Sequence, residues 1–153
     1  MPSGLALQPD RVADTGATNL AKAIQDNVAA NAGEVLRHAG FVAGYQRAWA
    51  QTDQARQNLV FLYRFATAAG AAEYAMNRVS ELEQVNAQAT MIRFPVLITG
   101  AVGLRSESST SSFGAVMFSK GVFAVEAVAT DASKSDQSLV AAALADAQHQ
   151  RLP

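Results

Sequence analysis

The chain has 153 residues, a net charge of −1 and no cysteine, which fits one domain and excludes disulfides, thiolate catalysis and thiol metal sites. Half of it is hydrophobic, yet 32 residues are alanine, so the core must rest on scattered Leu, Val, Ile, Phe and Met. The near-neutral charge and the absence of a basic stripe argue against nucleic acid as a partner, and no run of about 18 apolar residues exists to span a membrane.

Residues 1–16 carry Pro2, Gly4, Pro9 and Gly16 and no hydrophobic period. They read as a flexible leader or tether stump, with residues 17–153 as a single domain. From Thr18 the apolar positions Leu20, Ile24, Val28, Ala32, Val35 or Leu36 and Ala39 mark a helix. Gly33 interrupts it at about 1 kcal/mol relative to Ala, so one kinked helix or two short ones are expected. Gly40 suits the position just past a helix end, and His38 in the last turn complements the dipole.

Phe41–Ala50 reads as a strand, since Gly40 and Gly44 flank its start. Leu59, Phe61, Tyr63 and Phe65 alternate with Val60, Leu62, Arg64 and Ala66, which marks a second strand and makes a hairpin with the first. Thr67 then stands as an N-cap. The stripe Ala72, Ala75 or Met76, Val79, Leu82 and Asn86 follows, the signature of an amphipathic helix.

Ala89–Val96 is a short strand, placed at an edge or terminus by Pro95. A bend at Gly100 and Gly103 leads into a further strand through Val102 and Leu104. Ser106–Ser112 is a polar loop. Phe113–Ser119 and Val122–Thr130 form a hairpin about Lys120-Gly121, with Glu126 on the side facing water. A last helix begins near Ser135, with Ser133 or Ser135 as its cap. The order α-β-β-α-β-β-β-β-α with short loops predicts an α+β fold: an antiparallel sheet of about five or six strands, with helices packed mainly on one face.

Few residues point to chemistry. His38 and His149 lie 111 positions apart without HExxH or clustered carboxylates, so no metal or other cofactor is expected. The serine run lacks a nucleophile elbow and a nearby base, and Gly100–Gly103 has no phosphate-cradle spacing. Catalytic residues are not assigned. Glu73, Arg78 and Glu81 read as a solvated helix face, with Arg78–Glu81 an ordinary surface pair. Arg64 differs, because it interrupts an apolar strand. With Arg47 and Arg93 on other strands it points to a polar sheet face. That face is either simply wet or a concavity for an anion or a partner, with Tyr45 and Trp49 beside it.

Four stretches carry a resemblance: Ala39–Tyr45 (AGFVAGY), Val60–Ala75 (VFLYRFATAAGAAEYA), Phe94–Gly103 (FPVLITGAVG), and Lys120–Pro153 with its ending ALADAQHQRLP. Over residues 39–153 the chain resembles a group of uncharacterised actinobacterial lipoproteins and secreted envelope domains. The resemblance implies an exported α+β domain and transfers no catalytic residue. A lipobox cysteine and a signal peptide are absent from this stretch, so an extracytoplasmic location holds if a signal or anchor preceded Met1; otherwise the expectation is cytoplasmic.

The functional expectation is a non-enzymatic envelope domain binding a partner protein or an envelope ligand. One alternative is a small ligand- or lipid-binding cup, or an enzyme, using the concave face of a curved sheet. Another is a structural homodimer packed through alanine-rich helices. A pocket above about 300 Å³ with converging polar groups separates the cup from a filled core under a flat sheet.

Overall fold

The computed structural model describes residues 4–8, 15–27, 29–53, 55–85, 90–107, 111–133 and 135–153. The elements are β1 (Ala6–Leu7), β2 (Gly16–Thr18), α1 (Leu20–Asp26), α2 (Ala32–His38), β3 (Phe41–Ala50), β4 (Arg56–Phe65), α3 (Ala68–Val85), β5 (Ile92–Phe94), β6 (Val102–Glu107), β7 (Ser112–Lys120), β8 (Phe123–Asp131) and α4 (Ser138–His149). All strand pairs are antiparallel. The sheet runs β1-β3-β4-β8-β7-β6-β5, with β2 also on β3. From α1 onward the order is the expected α+β one. Eight strands replace five or six because two short pieces, at Ala6–Leu7 and Gly16–Thr18, pair with β3.

The first helix is broken, and the break falls between Asp26 and Ala32 rather than at Gly33, which lies inside α2. Asn19 caps α1 by accepting from the Lys22 amide at 2.9 Å, an N-cap that the period-based reading passed over. Gly40 follows the last turn of α2 with φ +77°, the left-handed conformation that favours glycine there. Thr67 does cap α3, its hydroxyl accepting from the Gly70 amide at 3.0 Å. The β7–β8 turn is Gly121-Val122, one residue on from the expected Lys120-Gly121, because Lys120 still pairs with Phe123 in the sheet; Gly121 has φ +54°.

Because side chains alternate along a strand, β4 feeds two layers. Tyr63 and Phe65 pack under α1, α2 and α3 with Leu36, Ala71, Tyr74 and Ala75, and Val79 continues that layer over Leu104, Ala115 and Met117. Val60 faces the other way and joins Val116, Phe118, Val125 and Ala127 beneath Ala141 and Ala145 of α4. Three helices therefore cover one face, and α4 covers the β7–β8 part of the other. Over β3 that second face has no helix above it among the described residues, and α4 reaches β4 only in part, at Val60.

The α3 stripe is rotated from the expected one. Ala71, Tyr74, Ala75, Arg78 and Val79 point inward, while Ala72 and Met76 are exposed; Asn86 lies outside the described residues. Tyr74 sets the rotation by stacking on Phe65 and Tyr63, at ring separations of 5.1 and 5.6 Å. Gly44 permits the layer's close packing, since a Cβ there would come within 2.5 Å of the Tyr63 ring. The cap of α4 also differs from expectation. Neither Ser133 nor Ser135 occupies it; the helix starts after Gln137, and Asp136 Oδ1 accepts from the Ser138 amide at 2.8 Å.

Candidate functional site

Antiparallel register brings Tyr45 opposite Leu62, Arg47 opposite Val60 and Trp49 opposite Asn58, so these side chains share the sheet face that α4 only partly covers. Beside them the end of α4 supplies Gln148 and Arg151. Residues 144, 147, 148 and 151 recur at three, four and seven positions and therefore project from one side of the helix. Tyr45, Arg47, Trp49, Val60, Leu62, Gln148 and Arg151 together wall a hollow of about 290 Å³. A second of about 400 Å³ extends it past Leu7, Leu144 and Ala147. A third of about 580 Å³ continues along α4 toward Asn58 and Gln137.

Position and charge are set by the fold. The C-terminal turn of α4 is pinned to the β7–β8 hairpin by Lys120, whose ammonium donates to the backbone carbonyls of His149 at 3.3 Å and Leu152 at 2.7 Å. His149 rests edge-on against Phe118 at 5.5 Å, and Leu152 is buried. These contacts hold the chain end that carries Arg151, which lines the same hollows as Arg47. Neither guanidinium has a carboxylate partner among the described residues. The Trp49 indole nitrogen is buried and also lacks a partner there.

Three of the five residues singled out in the sequence thus meet in one site: Tyr45, Arg47 and Trp49. Arg64 is exposed on the same face, two positions beyond Leu62, and does not line the trough. Arg93 is placed elsewhere. It sits on β5 at the far sheet edge and pairs with Glu83 of α3 at 2.8 Å, a hydrogen bond that raises its pKa. Sequence reasoning missed Arg151 and Leu144, although the 144–147–148–151 spacing was there to be read.

It also missed a buried polar cluster under α1 and α3. Arg78 Nε and Nη2 each donate to a Glu126 carboxylate oxygen at 3.0 Å, and Nη1 donates to Glu81 at 2.8 Å and Asn27 at 2.9 Å. Nearby, Lys22 is buried, with Asp26 Oδ2 at 2.5 Å and Gln46 Oε1 as a further acceptor. The solvated helix face expected at Arg78 and the wet side expected at Glu126 are therefore corrected: both side chains are at least nine-tenths buried. Burial works against the Arg78 charge, but the charge and hydrogen bonds of Glu126 outweigh it and leave its pKa raised. Burial, then the neighbouring carboxylates, pushes the Tyr63 and Tyr74 hydroxyls up. The Asn27 amide nitrogen is the member left without a partner among the described residues, and the remaining bonds of the cluster fasten α1 and α3 to the sheet.

No group of three or more metal-ligating side chains occurs among the described residues. Ser112 is buried, donating to the Asp131 and Ser135 carbonyls, and no histidine stands beside it. The hollows form a trough with an apolar floor and a cationic end. The protein is an α+β domain that presents this trough on one face of an open antiparallel sheet.

No family model matches the chain, and no curated protein matches it. Among solved structures the chain is similar to the extracellular domain of PknH from Mycobacterium tuberculosis, with a TM-score of 0.57 at 11% identity over 94% of this chain and 80% of that one. The likeness is one of fold. No helix among the described residues is long and apolar enough to cross a membrane.

Proposed function

We propose that this is a non-enzymatic extracytoplasmic domain that binds an anionic envelope ligand in the trough between β3, β4 and α4. The observation that carries the reading is the pair Arg47 and Arg151, two guanidinium groups without carboxylate partners among the described residues, set over a floor of Trp49, Val60 and Leu62. Exposed arginines ordinarily need no explanation, but two of them flanking a concave apolar floor are preorganised for a carboxylate or phosphate. The hollows of about 400 and 580 Å³ fall within the usual size range of ligand sites, about 300–1,000 Å³, and the adjoining one of about 290 Å³ lies at its lower edge. That favours a ligand over a flat protein interface. The extracytoplasmic part draws on the fold neighbour, itself an extracellular domain.

Calorimetric titration with hexyl phosphate and with hexanol tests the site. The phosphate should bind and the alcohol should not, and Arg47→Gln/Arg151→Gln should weaken the phosphate at least tenfold, roughly the loss of one charged hydrogen bond. Equal binding of both compounds, or no effect of the double substitution, overturns the reading. Fractionation of the source cells tests the location.

A further inference from the structure

We infer that the ligand of the trough is a single-chain fatty acid, its carboxylate between Arg47 and Arg151 and its chain laid along α4 toward Asn58. This rests on the anion-site reading above and adds the chain.

Continuity is the first argument. Leu144 and Ala147 wall both the 580 and the 400 Å³ hollows, and Trp49, Val60 and Arg151 wall both the 400 and the 290 Å³ hollows. The three are segments of one trough that follows α4. A helix of twelve residues is about 18 Å long at ~1.5 Å per residue. An extended chain advances about 3.5 Å per three backbone bonds, or ~1.2 Å per bond. A linear carbon chain of about 15 bonds therefore spans the helix.

The chemistry along the trough is the second. Only the Arg47–Arg151 end carries charge without a counter-charge among the described residues. At the other end Arg56 meets Asp131 and Arg105 meets Asp136, each at 2.9 Å. Leu5, Trp49, Val60, Val140 and Leu144 line the stretch between. Leu7, Tyr45 and Leu139, three of the large apolar side chains that the described residues leave exposed, also lie on this trough. An apolar run with one cationic end matches a ligand with one anionic end and a long alkyl body, and a linear chain fits a trough one helix wide.

Trp49, the sole tryptophan, reports occupancy directly. Its fluorescence is to be followed against butanoate, octanoate, dodecanoate and hexadecanoate, each below its micelle concentration, with hexadecanol as the neutral control. Affinity should rise about two- to fourfold per added methylene, the upper figure being that of full burial. Ala143→Phe, at an exposed position on the wall of the 580 Å³ hollow and not on the hollows that hold the arginines, should weaken hexadecanoate at least tenfold, whereas the shorter hexyl phosphate should bind as before. Octanoate and hexadecanoate binding equally, or Ala143→Phe without effect, overturns the chain assignment while the anion site stands. Hexadecanol matching hexadecanoate, with Arg47→Gln/Arg151→Gln silent, overturns the anion site and this inference with it. No response to any acid, with hexyl phosphate still binding, overturns this inference alone.

Discussion

Arg78 of α3 and Glu126 of β8 meet in the interior as a two-bonded pair, each hydrogen bond 3.0 Å long. Removing one partner of a buried ion pair strands the other charge, at a cost of about 3–5 kcal/mol. Arg78→Met and Glu126→Leu should each cost that much in urea denaturation. The double substitution should cost much less than their sum, because it leaves no stranded partner on β8. Additive and mild effects would show that the pair is solvated after all.

The position of this pair marks where sequence reading stops. Alternation in β4, the glycine after α2, the Thr67 cap and, to within one residue, the turn at Gly121 are local signals, and each was legible because its cause lies within a few residues. Arg78 and Glu126 are 48 positions apart. Nothing near either residue announces that β4, β8 and α3 converge there, so each reads as an ordinary surface charge. The same holds for the trough. Tyr45, Arg47 and Trp49 were legible as one strand face, whereas Arg151 joins them only because Lys120 pins the end of α4 to the β7–β8 hairpin. Arg93 looked equivalent to Arg47 until the sheet order put β5 at the far edge.

Both faces of β4 are covered, unequally, and truncations along it should follow that pattern. Phe65→Ala, in the layer under α2 and α3, should cost about 3–5 kcal/mol. Phe61→Ala should cost less, since Phe61 is only half-buried. Val60→Ala should also be felt, because Val60 lies in the α4 layer; Leu62→Ala, beside the open trough, should be milder. Chemical denaturation ranks the four. A Val60→Ala change without cost would mean that α4 does not close over β4.

Acid should loosen the loop between β8 and α4. Hydrogen bonds from Ser133, then from Ser135 and the Arg56 guanidinium, outweigh desolvation and hold the Asp131 carboxyl at about 2, against an ordinary 3.8. A folded-state pKa below the unfolded one stabilises the fold above the unfolded value, and that stabilisation is lost as pH falls toward 2. Melting curves from pH 5 to pH 2 should therefore fall more steeply in the wild type than in Asp131→Asn. At pH 7 the variant should already be weaker by about 1–3 kcal/mol, having lost the charged acceptor. Parallel curves would remove Asp131 from the acid response.

The exposed arginines should separate stability from binding. Arg47→Gln and Arg64→Gln should each change the unfolding free energy by no more than about 0.5 kcal/mol, as surface substitutions usually do. Only Arg47→Gln should weaken hexyl phosphate, because Arg64 does not line the trough. A loss of several kcal/mol at Arg64 would expose a buried partner, and equal binding losses at both positions would extend the site beyond Leu62.

We propose that residues 17–153 form the autonomous folding unit, with the preceding segment an accessory to it. The accessory makes specific contacts: Leu5 is 9% exposed, Ala6–Leu7 pairs with Trp49 and Ala50, and the Gln8 amide donates to the Ala48 carbonyl at 2.9 Å. A chain starting at Thr15 keeps the hydroxyl that accepts from the Ala48 amide at 3.1 Å and loses the rest. Burial of one leucine is worth about 1.5–3 kcal/mol, and a domain of this size shifts by roughly 2–4 °C per kcal/mol. The truncated chain should therefore still unfold cooperatively, with its melting temperature lowered by about 3–12 °C on those figures, and Leu5→Ala in the full chain should reproduce most of the shift. If truncation abolishes the transition, the segment belongs to the folding unit. If it changes nothing, the leader is the loose tether that its proline and glycine spacing suggests, and the wall it lends the trough at Leu5 and Leu7 contributes no stability.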